Sequence, residues 1–155
     1  METKEMKAVI TRTINAPREL VFKAWIDPKH LAKWWGPRGF SAPVCEVDPK
    51  VGGKIRIHMD HPQFPHHWLK GEFKEIKEPE KLVYTSGAYV GEDSFHALEG
   101  INTITFETIP GGKTKLTVVA ILTKLEPGFE AALAGMEIGW SQSIDKLEEI
   151  IATVK

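Results

Sequence analysis

The chain has 155 residues, of which 42% are hydrophobic and 26% charged, values that suit one ordered domain, residues 1–155, around a single core. Twenty basic residues against twenty-one acidic ones give a net charge of -1, and no run of Lys or Arg stands apart, which argues against nucleic acid as a partner. No apolar run approaches the ~18 residues of a membrane span, and the start METKEMK lacks the apolar stretch of a secretion signal, so no membrane contact and a cytoplasmic location are expected.

In chain order, Lys7 to Ile14 (KAVITRTI) alternates like a β-strand and is rich in β-branched residues. Asn15-Ala16-Pro17 ends it. Proline suits the first helical position, Asn15 or Ala16 is placed to cap, and Glu19 lies in the first turn, which predicts a short helix from Pro17 to about Ile26. Asp27-Pro28 repeats the signal for a second short helix carrying Leu31, Trp34 and Trp35 and stopped by Gly36-Pro37. From Phe40 to Ile121 the period is two, broken by Gly52-Gly53, the histidine segment, Glu78-Pro79-Glu80 and Pro110-Gly111-Gly112. The predicted strands of this antiparallel meander are Ser41 to Asp48, Lys54 to Met59, Leu69 to Ile76, Leu82 to Ser86, Ile101 to Ile109 and Lys113 to Thr123. Alternation turns Ile55, Ile57, Met59, Leu69, Gly71, Phe73, Ile104 and Phe106 inward, together with Leu116, Val118, Ala120 and Leu122. Between Gly87 and Gly100, AYVGEDSFHALE reads as a long connection and a candidate lid.

From about Pro127 to Val154, Phe129, Leu133, Met136, Trp140, Ile144, Leu147, Ile151 and Val154 recur at steps of three and four. This is a long amphipathic helix whose apolar side must lie on the sheet. At about 40 Å it would exceed an eight-residue strand of about 27 Å, so the sheet has to curl around it. The expected fold class is α+β: a helix-grip arrangement with a curved antiparallel sheet of about seven strands around the C-terminal helix.

The blocks ITRTINAPRELVFKAWIDPKHLAKWWGPRGF, CEVDPKVGGKIRIHM, GEFKEIKEPEKLVYT and MEIGWSQSIDKLEEI resemble, in order and over nearly the whole chain, the AHSA-type branch of the START-like (SRPBCC) superfamily. The carriers are Ala16-Pro17, Trp34-Trp35-Gly36-Pro37, Asp48 followed by Gly52-Gly53, and Gly139-Trp140. The resemblance implies a domain that holds a small hydrophobic molecule between sheet and long helix. Its alternatives are a stress-related protein-protein module with a chaperone as partner, and a cyclase- or hydrolase-type enzyme. No cofactor is implied, and either a monomer or a homodimer fits.

Ala132, Gly135, Gly139 and Ser143 line the terminal helix with small residues. Interior glycines cost about 1 kcal/mol each relative to alanine, and a hollow beneath the sheet would offset that. Such a hollow would be bounded by Met136, Gly139 and Trp140 on the helix and by Phe73, Tyr84 and Phe106 on the sheet, with Trp34 or Trp35 at its mouth. Close packing of helix on sheet is the plain alternative.

In the histidine-rich stretch from His58 to His67, His61 to His67 reads as an exposed hairpin tip, and His58 precedes it on the outward face of its strand. Pro62 and Pro65 forbid regular pairing, and the adjacent His66 and His67 diverge rather than converge on one ion, so no metal is expected. Cys45 lies mid-strand without a neighbouring histidine, as an inert thiol would. A general acid or base would have to come from His96, Glu99 or Tyr84.

Overall fold

A computed structural model describes residues 7–35, 41–60, 62, 67–90, 96–125 and 136–154. Strand β1 (Lys7–Ile14) is followed by helices α1 (Arg18–Ile26) and α2 (Pro28–Trp34). Six strands follow: β2 (Ser41–Val47), β3 (Lys54–Asp60), β4 (His67–Lys77), β5 (Lys81–Val90), β6 (His96–Ile109) and β7 (Lys113–Leu125). Helix α3 (Met136–Val154) closes the chain.

The seven strands form one antiparallel sheet in the order β1-β7-β6-β5-β4-β3-β2. β2 to β7 is the predicted meander, and β1 joins its far end, so β1 and β2 lie at opposite edges of the sheet. The chain between them has to cross one face, and α1 and α2 make that crossing. Alternation places the inward residues as expected: Ile57, Ile104 and Val118 are fully buried, and Ile55, Met59, Phe73, Phe106 and Leu116 nearly so. Leu69 and Gly71 are half-buried.

Curling requires breaks in regular pairing, because a bulge bends its strand and increases its twist. Register shifts leave one extra residue at Lys74 on β4, at Ala97 on β6 and at Thr123 on β7. Glycine makes the tightest approaches possible: a Cβ on Gly71 would collide with the Thr85 carbonyl oxygen, and one on Gly100 would come within 2.6 Å of the Ile121 oxygen.

Two expectations change. The segment between Gly87 and Gly100 is mostly strand: Gly87 pairs with Glu99 and Ala88 with Leu98, which leaves only residues 91–95, outside the described residues, to join β5 to β6. Gly87 is a paired residue of β5, and Gly100 serves the close approach of β6 to β7. The N-cap of α1 is Pro17, without a side-chain cap, rather than Asn15 or Ala16. Ala16 is committed elsewhere, since its N–H donates to the Ile14 carbonyl at 2.9 Å and its own carbonyl accepts from the Thr114 hydroxyl at 2.7 Å. α2 is capped as expected, with Asp27 Oδ1 accepting from the Lys29 N–H at 2.9 Å. As expected, α3 turns its apolar side to the core it shares with the sheet, and it also meets α2, β1 and α1. Its buried side carries Ile144, Leu147 and Ile151. Its flank is tied to the edge strand by Arg12, whose Nη1 lies 2.7 Å from Asp145 and 3.0 Å from Glu148.

Candidate functional site: an aromatic cluster beside an apolar void

Helical spacing brings Phe22 and Trp25 to one face of α1, and the crossing of α1 over the sheet turns that face inward. Trp34 and Trp35, at the end of α2, meet it from the side. Trp140 of α3 completes the group, so that four of the five tryptophans share one cluster centred on Trp25. The Trp25 ring meets Trp34 edge-on at 4.7 Å, Trp35 at 6.2 Å and Phe106 at 6.2 Å, and it stacks on Trp140 at 5.9 Å. Aromatic pairs favour these edge and offset arrangements because the ring face is negative and its rim positive. The Trp34 N–H donates to the Ala24 carbonyl at 3.0 Å and so satisfies an oxygen that the end of α1 would otherwise leave unpaired.

Between this cluster and strands β2 to β5 lies a void of about 10 Å³, room for about one water. Trp25, Trp35, Phe73 and Tyr84 supply its aromatic walls, and Leu31, Val47, Ile55, Ile57 and Leu82 supply the aliphatic ones. None of these side chains carries a charge. Two of them nevertheless carry a buried polar atom without a hydrogen-bond partner, Trp25 Nε1 and the Tyr84 hydroxyl. Trp25 and Tyr84 are each only 3% exposed. Burial also pushes the Tyr84 phenol well above its usual pKa range, so at neutral pH it is a proton-bearing donor rather than a base.

The residues expected at the site separate into layers. Trp35, Phe73 and Tyr84 line the void. Trp34 is fully buried core rather than a rim residue, and Phe106 packs against Phe22 at 5.2 Å, one layer away from the void. Trp140 is half-buried and covers the cluster from outside, 5.5 Å from Trp35. Gly139 is half-buried and Ser143 buried on α3, but neither lines this void. The Met136 side chain, Ala132 and Gly135 lie outside the described residues.

Trp25, the centre of the cluster, was not among the expected residues. Its signal is the spacing of Phe22 and Trp25 within a nine-residue helix, which reads only as an ordinary core face. Asn102 was also missed. It is 5% exposed, stands opposite Tyr84 in the β5–β6 register and donates to the Ser86 hydroxyl at 2.9 Å.

The other candidates lie apart from this site. His58 is half-buried on the outer face, its ring 4.9 Å from Trp68, over which the Arg56 guanidinium sits at 4.7 Å. His61, His66 and the His67 and His96 side chains lie outside the described residues. Among the described residues no group of three or more His, Cys, Asp or Glu could hold a metal ion. Glu99 lines a polar groove on the sheet together with Lys54 and Thr123, away from Tyr84. Cys45 is half-buried, and burial, with Glu46 adding, pushes its thiol up to about 11, which keeps it protonated and unreactive at neutral pH.

A curled seven-stranded antiparallel sheet, two short helices after its first strand and a long terminal helix define a START-like helix-grip protein. The sequence pattern of the family described as "Activator of Hsp90 ATPase homolog 1-like protein" matches residues 15–152, and the chain belongs to that family. Among solved structures, it resembles a protein of Chromobacterium violaceum at 27% identity, covering 94% of this chain and 96% of that one, with a TM-score of 0.79. A protein of Nitrosomonas europaea shares 25% identity over 100% of both chains, with a TM-score of 0.80. The AHSA1 protein of Silicibacter pomeroyi has the same fold at 22% identity, covering 96% of this chain and 99% of that one, with a TM-score of 0.76. No curated protein matches the chain. No helix among the described residues is long and apolar enough to cross a membrane.

Proposed function

We propose that this chain binds a small apolar or aromatic molecule in the space bounded by α1, α2 and strands β2 to β5. The observation that carries the reading is an uncharged, aromatic-walled void placed where the short helices cross the sheet. Ligand sites in small domains are concave, mostly apolar and equipped with few polar groups. The void holds about one water, so an aromatic guest needs a wall to yield. Trp35 is the wall suited to this: it is 8% exposed, against 3% for Trp25 and 2% for Phe73, and it stands at the C-cap of α2 rather than within a helix or strand. Phe73 and Tyr84 form the floor. Trp34 and Phe106 fix Trp25 from behind, and Trp140 closes the cluster from α3, with Met136 and Gly139 as its neighbours on that helix.

Isothermal titration with ethylbenzene tests the reading. Saturable one-to-one uptake is expected from the native chain, and Leu82→Phe, which puts a ring into the void, should abolish it while the protein stays folded. No uptake by the native chain would end the proposal.

A second reading, contact with a chaperone, draws on the family's description and on the outer face of the sheet, where Val9, Ile101 and Ile121 are 46%, 40% and 45% exposed. Ile101 and Ile121 stand directly opposite each other on β6 and β7 and make the centre of such a contact.

A further inference from the structure

Two unpartnered atoms on residues that line the void narrow the class of molecule it would take. Buried polar atoms are almost always hydrogen-bonded, and each exception needs an explanation. Among the described residues there are three: Arg18 Nε lies away from the void, and the other two belong to residues that line it, the Trp25 indole and the Tyr84 phenol. An indole N–H is a donor only, and a phenol in a site without other partners is best used as a donor. A guest that satisfies them has to bring acceptors. A carbonyl oxygen, with two lone pairs, suits two donors, whereas a hydrocarbon leaves both unsatisfied. A carboxylate would also accept, but it would bring a full charge into a space whose walls are Leu31, Val47, Ile55, Ile57, Leu82 and four aromatic rings, without a cation to pair with it.

Building on the proposed small-molecule site, we infer that it selects an uncharged aromatic or apolar ligand bearing a carbonyl oxygen, recognised by the Tyr84 hydroxyl and the Trp25 indole N–H. Tyr84 is the specificity-determining residue, and the apolar walls supply the remainder of the affinity. Asn102, opposite Tyr84 on β6, already has the Ser86 hydroxyl as its partner and so leaves the phenol to the ligand.

Three probes of one ring size separate the terms: ethylbenzene, acetophenone and benzoate. Dissociation constants would be measured by isothermal titration for the native chain and for Tyr84→Phe, which removes only the hydroxyl and keeps the ring. The native chain is expected to bind acetophenone about tenfold more tightly than ethylbenzene, as one recovered hydrogen bond allows, and to bind benzoate least. In Tyr84→Phe the acetophenone advantage over ethylbenzene should largely vanish. Equal affinity of the native chain for acetophenone and ethylbenzene would overturn the carbonyl inference while leaving the apolar site standing, as would an acetophenone preference that survives in Tyr84→Phe. Tightest binding of benzoate would overturn the uncharged ligand class. Failure of both ethylbenzene and acetophenone to bind would remove the site and the inference together.

Discussion

Replacing Trp34 by alanine is expected to destabilise the fold by about 3–5 kcal/mol, the range for truncating a buried tryptophan to alanine. The side chain is fully buried, meets Trp25 at 4.7 Å and Trp35 at 5.5 Å, and donates its only N–H to the Ala24 carbonyl. The substitution therefore empties a ring-sized space and also leaves the end of α1 with an unpaired oxygen. A domain of this size has only about 5–15 kcal/mol of total stability, so the loss takes a large share of it. Urea unfolding would show it as a lower midpoint at an unchanged slope. Trp68→Ala, on the half-buried outer face beside Arg56 and His58, is the control and should cost clearly less. Equal losses for the two would mean that the cluster does not hold the short helices to the sheet.

Gly71→Ala should be nearly as damaging, at about 3 kcal/mol, although it adds a single methyl group. A glycine-to-alanine change usually stabilises a chain that can accept it, because it restricts the unfolded state. At Gly71 the new Cβ would run into the Thr85 main-chain oxygen, and β4 would have to separate from β5 to admit it. Phe73 and Tyr84, paired on those same strands two residues further along β4, would move with them. A neutral or stabilising Gly71→Ala in thermal unfolding would contradict the close approach that curls the sheet.

Much of this architecture was legible because each strand repeats one physical signal. Ile55, Ile57 and Met59 alternate with Lys54, Arg56 and His58, and only one register buries the first set. The terminal helix was equally plain from the spacing of Ile144, Leu147 and Ile151. Gly100 misled because glycine marks a turn and a mid-strand bend with the same letter. Only the pairing of Ser86 with Gly100, and of Gly100 with Leu122, tells which it is.

The site was less legible than the fold. Trp35, Phe73 and Tyr84 could be chosen as large rings on inward positions, but which rings share a space depends on where α1 crosses the sheet, and a single sequence holds no trace of that crossing. The small residues of α3 pointed to a hollow beneath that helix. Ala132, Gly135 and the Met136 side chain, which would line that hollow, lie outside the described residues, and the apolar void among the described ones lies against α1 and α2. Whether a small side chain leaves room or draws a neighbour closer is decided by what packs on it. An unpaired hydrogen-bonding atom is likewise invisible in a sequence, because it is defined by what surrounds it.

The most direct test follows the Trp25 indole N–H by nitrogen-proton correlation NMR as acetophenone is added, with the Trp25 signal assigned by its loss in Trp25→Phe. A saturable downfield movement of that signal, with the outer-face Trp68 signal unmoved, is the expected result. A Trp25 signal that stays fixed while acetophenone saturates the protein, or while no indole signal responds at all, would contradict the account.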